Sequence, residues 1–143
     1  MKFAAAAACS AALMLGGCMT ITDTHPLTGT EWRLVAIDTS GSTTTLTPAL
    51  QQRHTIAFAE GGEATAQLDC NRGRSTWTAG RPNNGAGAIS FGPFASTRML
   101  CPQPSFGDQL ARLAEAERYT TTLDGRQLVI ETPELRFTFS PAE

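Results

Sequence analysis

From Glu31 to Phe139, apolar residues recur at alternate positions in short runs, and glycine, proline, asparagine or aspartate breaks each run. That alternation gives a segment one buried face and one wet face, the condition for antiparallel strands packed around a single core. Trp32, Leu34 and Ala36 alternate in the first run, and Ile56 and Phe58 share a face in the second. Glu60-Gly61-Gly62-Glu63 then turns the chain, and Ala64, Ala66, Leu68 and Cys70 return at period two. Tyr119, Thr121 and Leu123 lead into Asp124-Gly125, after which Leu128 and Ile130 run back. Asp-Gly between alternating runs is among the strongest hairpin signals, because the tight turn needs positive φ at its centre. Further strands are expected around Trp77, over Ala88–Phe91, and through Leu135, Phe137 and Phe139. Thr39–Thr47 reads as a loop with a short strand at its end, and Gly80–Gly87 as a second loop.

One segment changes period. Ser105 is placed to cap a helix, Asp108 to favour its first turn, and Phe106, Leu110, Leu113 and Ala114 to share one helical face. That stripe reads as core packing. The expected fold is therefore mainly β: a small antiparallel β-barrel of seven to eight strands, with one covering α-helix over an opening.

The N-terminus carries a different signal. Lys2 supplies one positive charge, and an apolar run of about a dozen residues follows, shorter than the roughly 20 needed to span a bilayer as a helix. It ends in Leu15-Gly16-Gly17-Cys18. Charge, apolar run, small residues and cysteine in that order read as a lipoprotein signal peptide over residues 1–17, with Cys18 lipidated. Residues 18–25 read as a tether and 26–143 as the domain. Acyl chains on Cys18 would hold the protein in the membrane, each buried methylene contributing roughly 0.8 kcal/mol. The expected location is the cell envelope, facing the periplasm. Met19, where an aspartate would favour retention in the inner membrane, leans the assignment to the outer membrane.

Cys9 leaves with the signal and Cys18 takes lipid, so Cys70 and Cys101 remain for an oxidising compartment where disulfides persist. A bridge between them is favoured over two free thiols, or over a redox or metal pair. A redox pair would usually be C-x-x-C, and the only histidines available to a metal are His25 and His54. No metal and no cofactor is expected. A formal net charge of −2 without a basic patch gives nucleic-acid binding no support. The chain contains no G-x-S-x-G elbow, no H-E-x-x-H pair and no phosphate-cradling glycine loop with lysine, so no catalytic residues are assigned. His54 reads as a structural histidine.

A bridge from Cys70 to Cys101 would gather Asn71, Arg72, Thr97 and Arg98 into one neighbourhood. Amide, hydroxyl and guanidinium groups there could recognise a carboxylate or a backbone segment. The alternative is that they bond the loops beside the bridge and fix the barrel's mouth.

Three segments together resemble the META domain family, which includes heat-shock lipoproteins. They are Leu27-Thr28-Gly29-Thr30-Glu31-Trp32-Arg33-Leu34, then Cys70-Asn71-Arg72, and then Ile89 through Pro102 with its Ser96-Thr97-Arg98-Met99-Leu100-Cys101-Pro102 core. The resemblance runs from Pro26 to the end of the chain. It departs at Asp69, where the family commonly has glycine, and after Arg72, where Gly73-Arg74-Ser75-Thr76-Trp77 replaces the usual small and aromatic residues. Both bear on the shape of that turn and of any site built on it. The resemblance implies an envelope protein linked to stress tolerance, with no established enzyme activity. The resulting expectation is a monomeric, non-catalytic lipoprotein that binds an unidentified envelope protein or ligand. The alternatives are an inhibitor of a periplasmic or external hydrolase, inserting Arg81–Gly87, and a lipocalin-type carrier.

Overall fold

Closure of the sheet turns on its first strand, β1 (Glu31–Thr39). One edge of β1 pairs with β3 (His54–Phe58) and, further along, with β2 (Ser42–Thr45), while its other edge pairs with β10 (Arg136–Pro141). From β3 the ladder continues through β4 (Glu63–Leu68), β5 (Asn71–Ala79), β6 (Ala86–Phe91), β8 (Arg118–Thr121) and β9 (Leu128–Glu131) back to β10. Every pairing in this ring is antiparallel, so the computed structural model is a closed barrel of eight strands. Two short strands stand off the ring: β2, which forms a hairpin with β1, and β7 (Ala95–Ser96), which pairs β5 at Gly73 and Arg74. The structure describes residues 24–143. The signal segment, Cys18 and all but the end of the tether lie outside the described residues.

The interior is filled. Trp32, Tyr119, Phe137 and Phe139 are fully buried among Leu27, Leu34, Ile56, Leu128 and Ile130. Both indole N–H groups find carbonyls, Trp32 at Leu27 (3.2 Å) and Trp77 at Ala59 (2.9 Å). Buried donors satisfied in this way let large aromatics pack without a desolvation penalty.

One end of the barrel is covered by α2 (Gly107–Ala111) and a 3₁₀ turn (Arg112–Glu115), which bury Leu110 and Leu113 completely. The helix is shorter than the apolar stripe predicts, and Ser105 does not cap it. Phe106 holds the cap position without a side-chain bond. Tertiary contact sets the start instead: a Cβ at Gly107 would lie 2.5 Å from the Leu68 carbonyl oxygen, so only glycine lets the helix begin against β4. His54, fully buried, locks the same junction. Its Nδ1–H donates to the Leu50 carbonyl (2.6 Å), and its Nε2 accepts the Phe106 N–H (3.1 Å), a pairing that defines the neutral tautomer. Thr39–Thr47 carries the expected short strand as β2, folded back on β1, and it feeds a short helix, α1 (Pro48–Gln51), that the sequence reading did not anticipate. Thr47 Oγ1 caps that helix, and Pro48 opens it, where its missing N–H costs nothing.

The turn between β4 and β5 keeps its left-handed residue without glycine, since Asp69 adopts φ 61°. Its carboxylate is buried beside Arg53 Nε (3.3 Å) and neither oxygen has a hydrogen-bond partner. Left-handed φ costs a side-chain-bearing residue roughly 1–2 kcal/mol. Asp69→Gly is therefore expected to be more stable than Asp69→Ala by about 1 kcal/mol in urea melts. Equal midpoints for the two variants would remove the strain from this turn.

Candidate functional site

Asn71 opens β5 immediately after the disulfide. The Cys70–Cys101 bridge is present, its Cα atoms 5.6 Å apart across a sequence separation of 31. It draws the Thr97–Cys101 segment against the start of β5, and the Asn71 amide does the rest. Its Oδ1 accepts the Met99 N–H (2.7 Å) and the Thr97 hydroxyl (3.0 Å), while its Nδ2 donates to the Met99 carbonyl (2.9 Å). Thr97 adds two more bonds: its Oγ1 accepts the Arg72 N–H (3.0 Å), and its own N–H donates to the Arg72 carbonyl (3.1 Å). One asparagine side chain thus replaces the backbone partner that the segment lacks beyond β7.

Asn71, Thr97 and the two cysteines therefore come together as expected, and the polar groups of Asn71 and Thr97 are spent on holding the loop. Arg72 and Arg98 do not share a site. Arg72 lines a groove of about 600 Å³ over the outer face of β3, β4, β5 and β7, together with Arg74, Glu31 and Gln67. Arg98 lines a second groove, of about 610 Å³, between the Pro93–Cys101 segment and α2, floored by Leu68, Phe94 and Ala111. Ser96 and Thr97 form the ridge between the two.

This ridge has an open side. Thr97 and Met99 turn their N–H groups toward β5 and Asn71. Ser96 and Arg98, the residues between, line the second groove. The side chains there are exposed as well: Met99 is 60% and Leu100 98% accessible, two of the three large apolar residues left in water among the described residues. Leu100 and Met99 are the functional candidates that sequence reasoning missed. Their signal was present in an apolar pair standing directly before a cysteine that fixes the loop.

The arrangement splits the candidate residues by role, and mutation can read the split. Asn71→Ala hands the exposed Met99 and Thr97 groups to water and is expected to cost about 0.5–1.5 kcal/mol. Arg98→Ala, at an exposed position, is expected to stay within about 0.5 kcal/mol. Chemical denaturation of both variants checks this; a large loss from Arg98→Ala would make Arg98 structural.

At the opposite end, His25 is seated in the domain, although the sequence reading places it in the tether. Its Nδ1 accepts the Leu27 N–H (3.3 Å), its Nε2–H donates to the Gly80 carbonyl (3.1 Å), and its ring meets Trp77 and Tyr119 edge-on at 5.4 and 5.7 Å. The Tyr119 hydroxyl donates to the same carbonyl (2.6 Å), and burial raises its pKa above the ordinary phenol value of 10.0. The raised value means that only the unfolded chain ionises readily. The stabilisation is complete below pH 10.0 and is lost as pH climbs through the folded pKa. Stability is expected to fall above that pH, and Tyr119→Phe to flatten the fall while lowering stability at neutral pH. An unchanged alkaline slope in the variant would assign it elsewhere.

Among the described residues, no three histidine, cysteine, aspartate or glutamate side chains converge on a point.

Comparison with known proteins agrees with the barrel. An NMR structure of a protein from Burkholderia xenovorans superposes with a TM-score of 0.60 at 21% identity, covering 99% of this chain and 98% of that one. The crystal structure of a DUF4847 family protein from Bacteroides vulgatus gives 0.52 at 14% identity, over 80% of this chain and 93% of that one. Both likenesses are of fold alone. No curated protein matches the chain. The META domain family model matches residues 25–143, from the histidine seated against Trp77 and Tyr119 to the last residue, and the chain belongs to the META domain family.

Proposed function

We propose that this META-domain protein is a non-catalytic lipoprotein of the cell envelope, anchored through Cys18 to the outer membrane, which its residue at position 19 favours over the inner. It supports envelope integrity or stress tolerance by binding, and it binds an extended segment of a partner protein along the Ser96–Leu100 edge.

The observation that carries this reading is the edge itself. Ser96 and Arg98 line an open groove, Met99 and Leu100 stand in water, and a disulfide and Asn71 hold the segment still. An unpaired strand edge recognises another strand through main-chain bonds, with neighbouring grooves taking alternate side chains. Arg98 beside an apolar floor favours a segment that alternates acidic and apolar residues. Pre-ordering the edge removes much of the entropy cost of binding.

The same rigidity favours one alternative, inhibition of a hydrolase by a clamped loop. The inserting loop would be Arg98–Leu100. Arg81–Gly87, the segment chosen from sequence, is tied into a turn by reciprocal Asn83–Ala86 backbone bonds and runs directly into β6. The carrier alternative loses support from the filled interior, since both large grooves lie outside the barrel.

Photo-cross-linking in intact cells tests the reading. A photoreactive residue at Leu100 is expected to give a discrete protein adduct, absent when the residue stands at Ser42 on the far hairpin and weakened by Arg98→Glu. Identical adducts from both positions, or none from Leu100, would contradict it.

A further inference from the structure

Counting strands around the barrel separates its two ends. In an antiparallel ring the turns alternate, so the β3–β4, β5–β6 and β8–β9 turns share one end with the segment entering β1. The α2 helix and the Ser96–Leu100 edge lie at the other. The chain enters at the first end through His25, which is fastened to Gly80, Trp77 and Tyr119. Six residue steps separate Cys18 from Thr24, a reach of roughly 20 Å at full extension. The nine-residue strand β5 is roughly 30 Å along its own axis, about 23 Å of barrel height at an ordinary tilt. A tether shorter than the barrel cannot carry a membrane anchor round to the far end.

The near end ends in the β8–β9 hairpin, and the tip of that hairpin is Leu123, fully accessible to water. The tip is rigid. The Asp124 carboxylate accepts the Thr122 hydroxyl (2.6 Å) and the Arg126 N–H (3.0 Å), bonds that hold its pKa below the ordinary range, and Gly125 supplies the positive φ of 67°. Asp124 is itself exposed, with the Arg126 charge close enough to favour its ionised form, so Leu123, Asp124 and Arg126 all stand at the surface.

We infer that the Leu123 hairpin tip rests in the headgroup region of the bilayer that holds Cys18, with Arg126 against lipid phosphates. The inference rests on the anchor proposed above. Leucine gains by leaving water, and a cation beside it suits the phosphate layer. Glu60 and Glu63 stand on the β3–β4 turn at this end, beyond the β5–β6 turn, so this is a contact of the tip and not of a broad basic face, and it needs no anionic lipid. Its consequence is directional: the Ser96–Leu100 edge faces away from the membrane, toward a partner in the periplasm.

The test uses the full lipidated protein in phosphatidylcholine vesicles, carrying an environment-sensitive nitrobenzoxadiazole label on Leu123→Cys or, separately, on Leu100→Cys. The expected result is that both preparations float with the vesicles, and that only the label at position 123 shifts to the blue and is quenched by lipid-borne quenchers. Flotation with the position-123 label still in water, or with both labels shifted alike, would overturn the contact while leaving the anchor. Failure of the protein to float would overturn the anchor and the contact together.

Discussion

Replacing both Cys70 and Cys101 with serine is expected to lower stability by about 3–4 kcal/mol, from the chain entropy that the bridge removes across its 31-residue separation. For a domain of this size that is roughly 10 °C or more in melting temperature. The loss should fall unevenly. β1, β9 and β10 are held by their own ladders, whereas the Thr97–Cys101 segment has no ladder of its own beyond β7 and depends on the bridge and Asn71. Calorimetry measures the size of the effect. Amide exchange locates it, with Thr97 and Met99 expected to lose protection in the native state before the barrel strands do. A shift of only a degree or two would mean that the Asn71 bonds alone define the segment.

Phe137→Ala is the second large effect, expected to cost about 3–5 kcal/mol. Phe137 is fully buried and packs with Phe139 at a centroid separation of 6.4 Å, on the strand that closes the ring against β1. A barrel whose interior is solid cannot collapse easily around the missing ring, so a cavity remains. The variant is then expected to bind a small apolar molecule such as benzene, which the native protein excludes. Thermal shifts in the presence and absence of benzene read both outcomes. Strong binding by the native chain would revive the carrier alternative.

Most of the barrel was legible in the sequence because alternation and turn chemistry are local. Asp124-Gly125 and Gly61-Gly62 announced their hairpins, and Trp32, Phe137 and Phe139 announced the core. What failed was decided by contacts distant in sequence. The start of α2 is fixed by the Leu68 carbonyl and His54, not by Ser105. The pairing of β2 back on β1 had no period to mark it, because all four of its residues are exposed. His25 was lost to the tether because a single histidine before proline shows no pattern; its partners Gly80 and Tyr119 lie 55 and 94 residues away.

The candidate site was legible in part, for the same reason. Pairing Cys70 with Cys101 brought Asn71 and Thr97 together correctly, since a bridge dictates its own neighbourhood. It could not say which way Arg72 and Arg98 point, because that depends on strand alternation on either side of the Ser96–Thr97 ridge. Nor could it show that the Asn71 amide would be consumed by Met99 and Thr97.

The unreduced intact mass of the protein extracted from the membrane fraction tests the anchored, stapled barrel most directly. The expected mass is that of the chain beginning at Cys18, plus its acyl chains, less the two hydrogens lost in forming the Cys70–Cys101 bridge. A chain without lipid, or one retaining both thiol hydrogens, would contradict it.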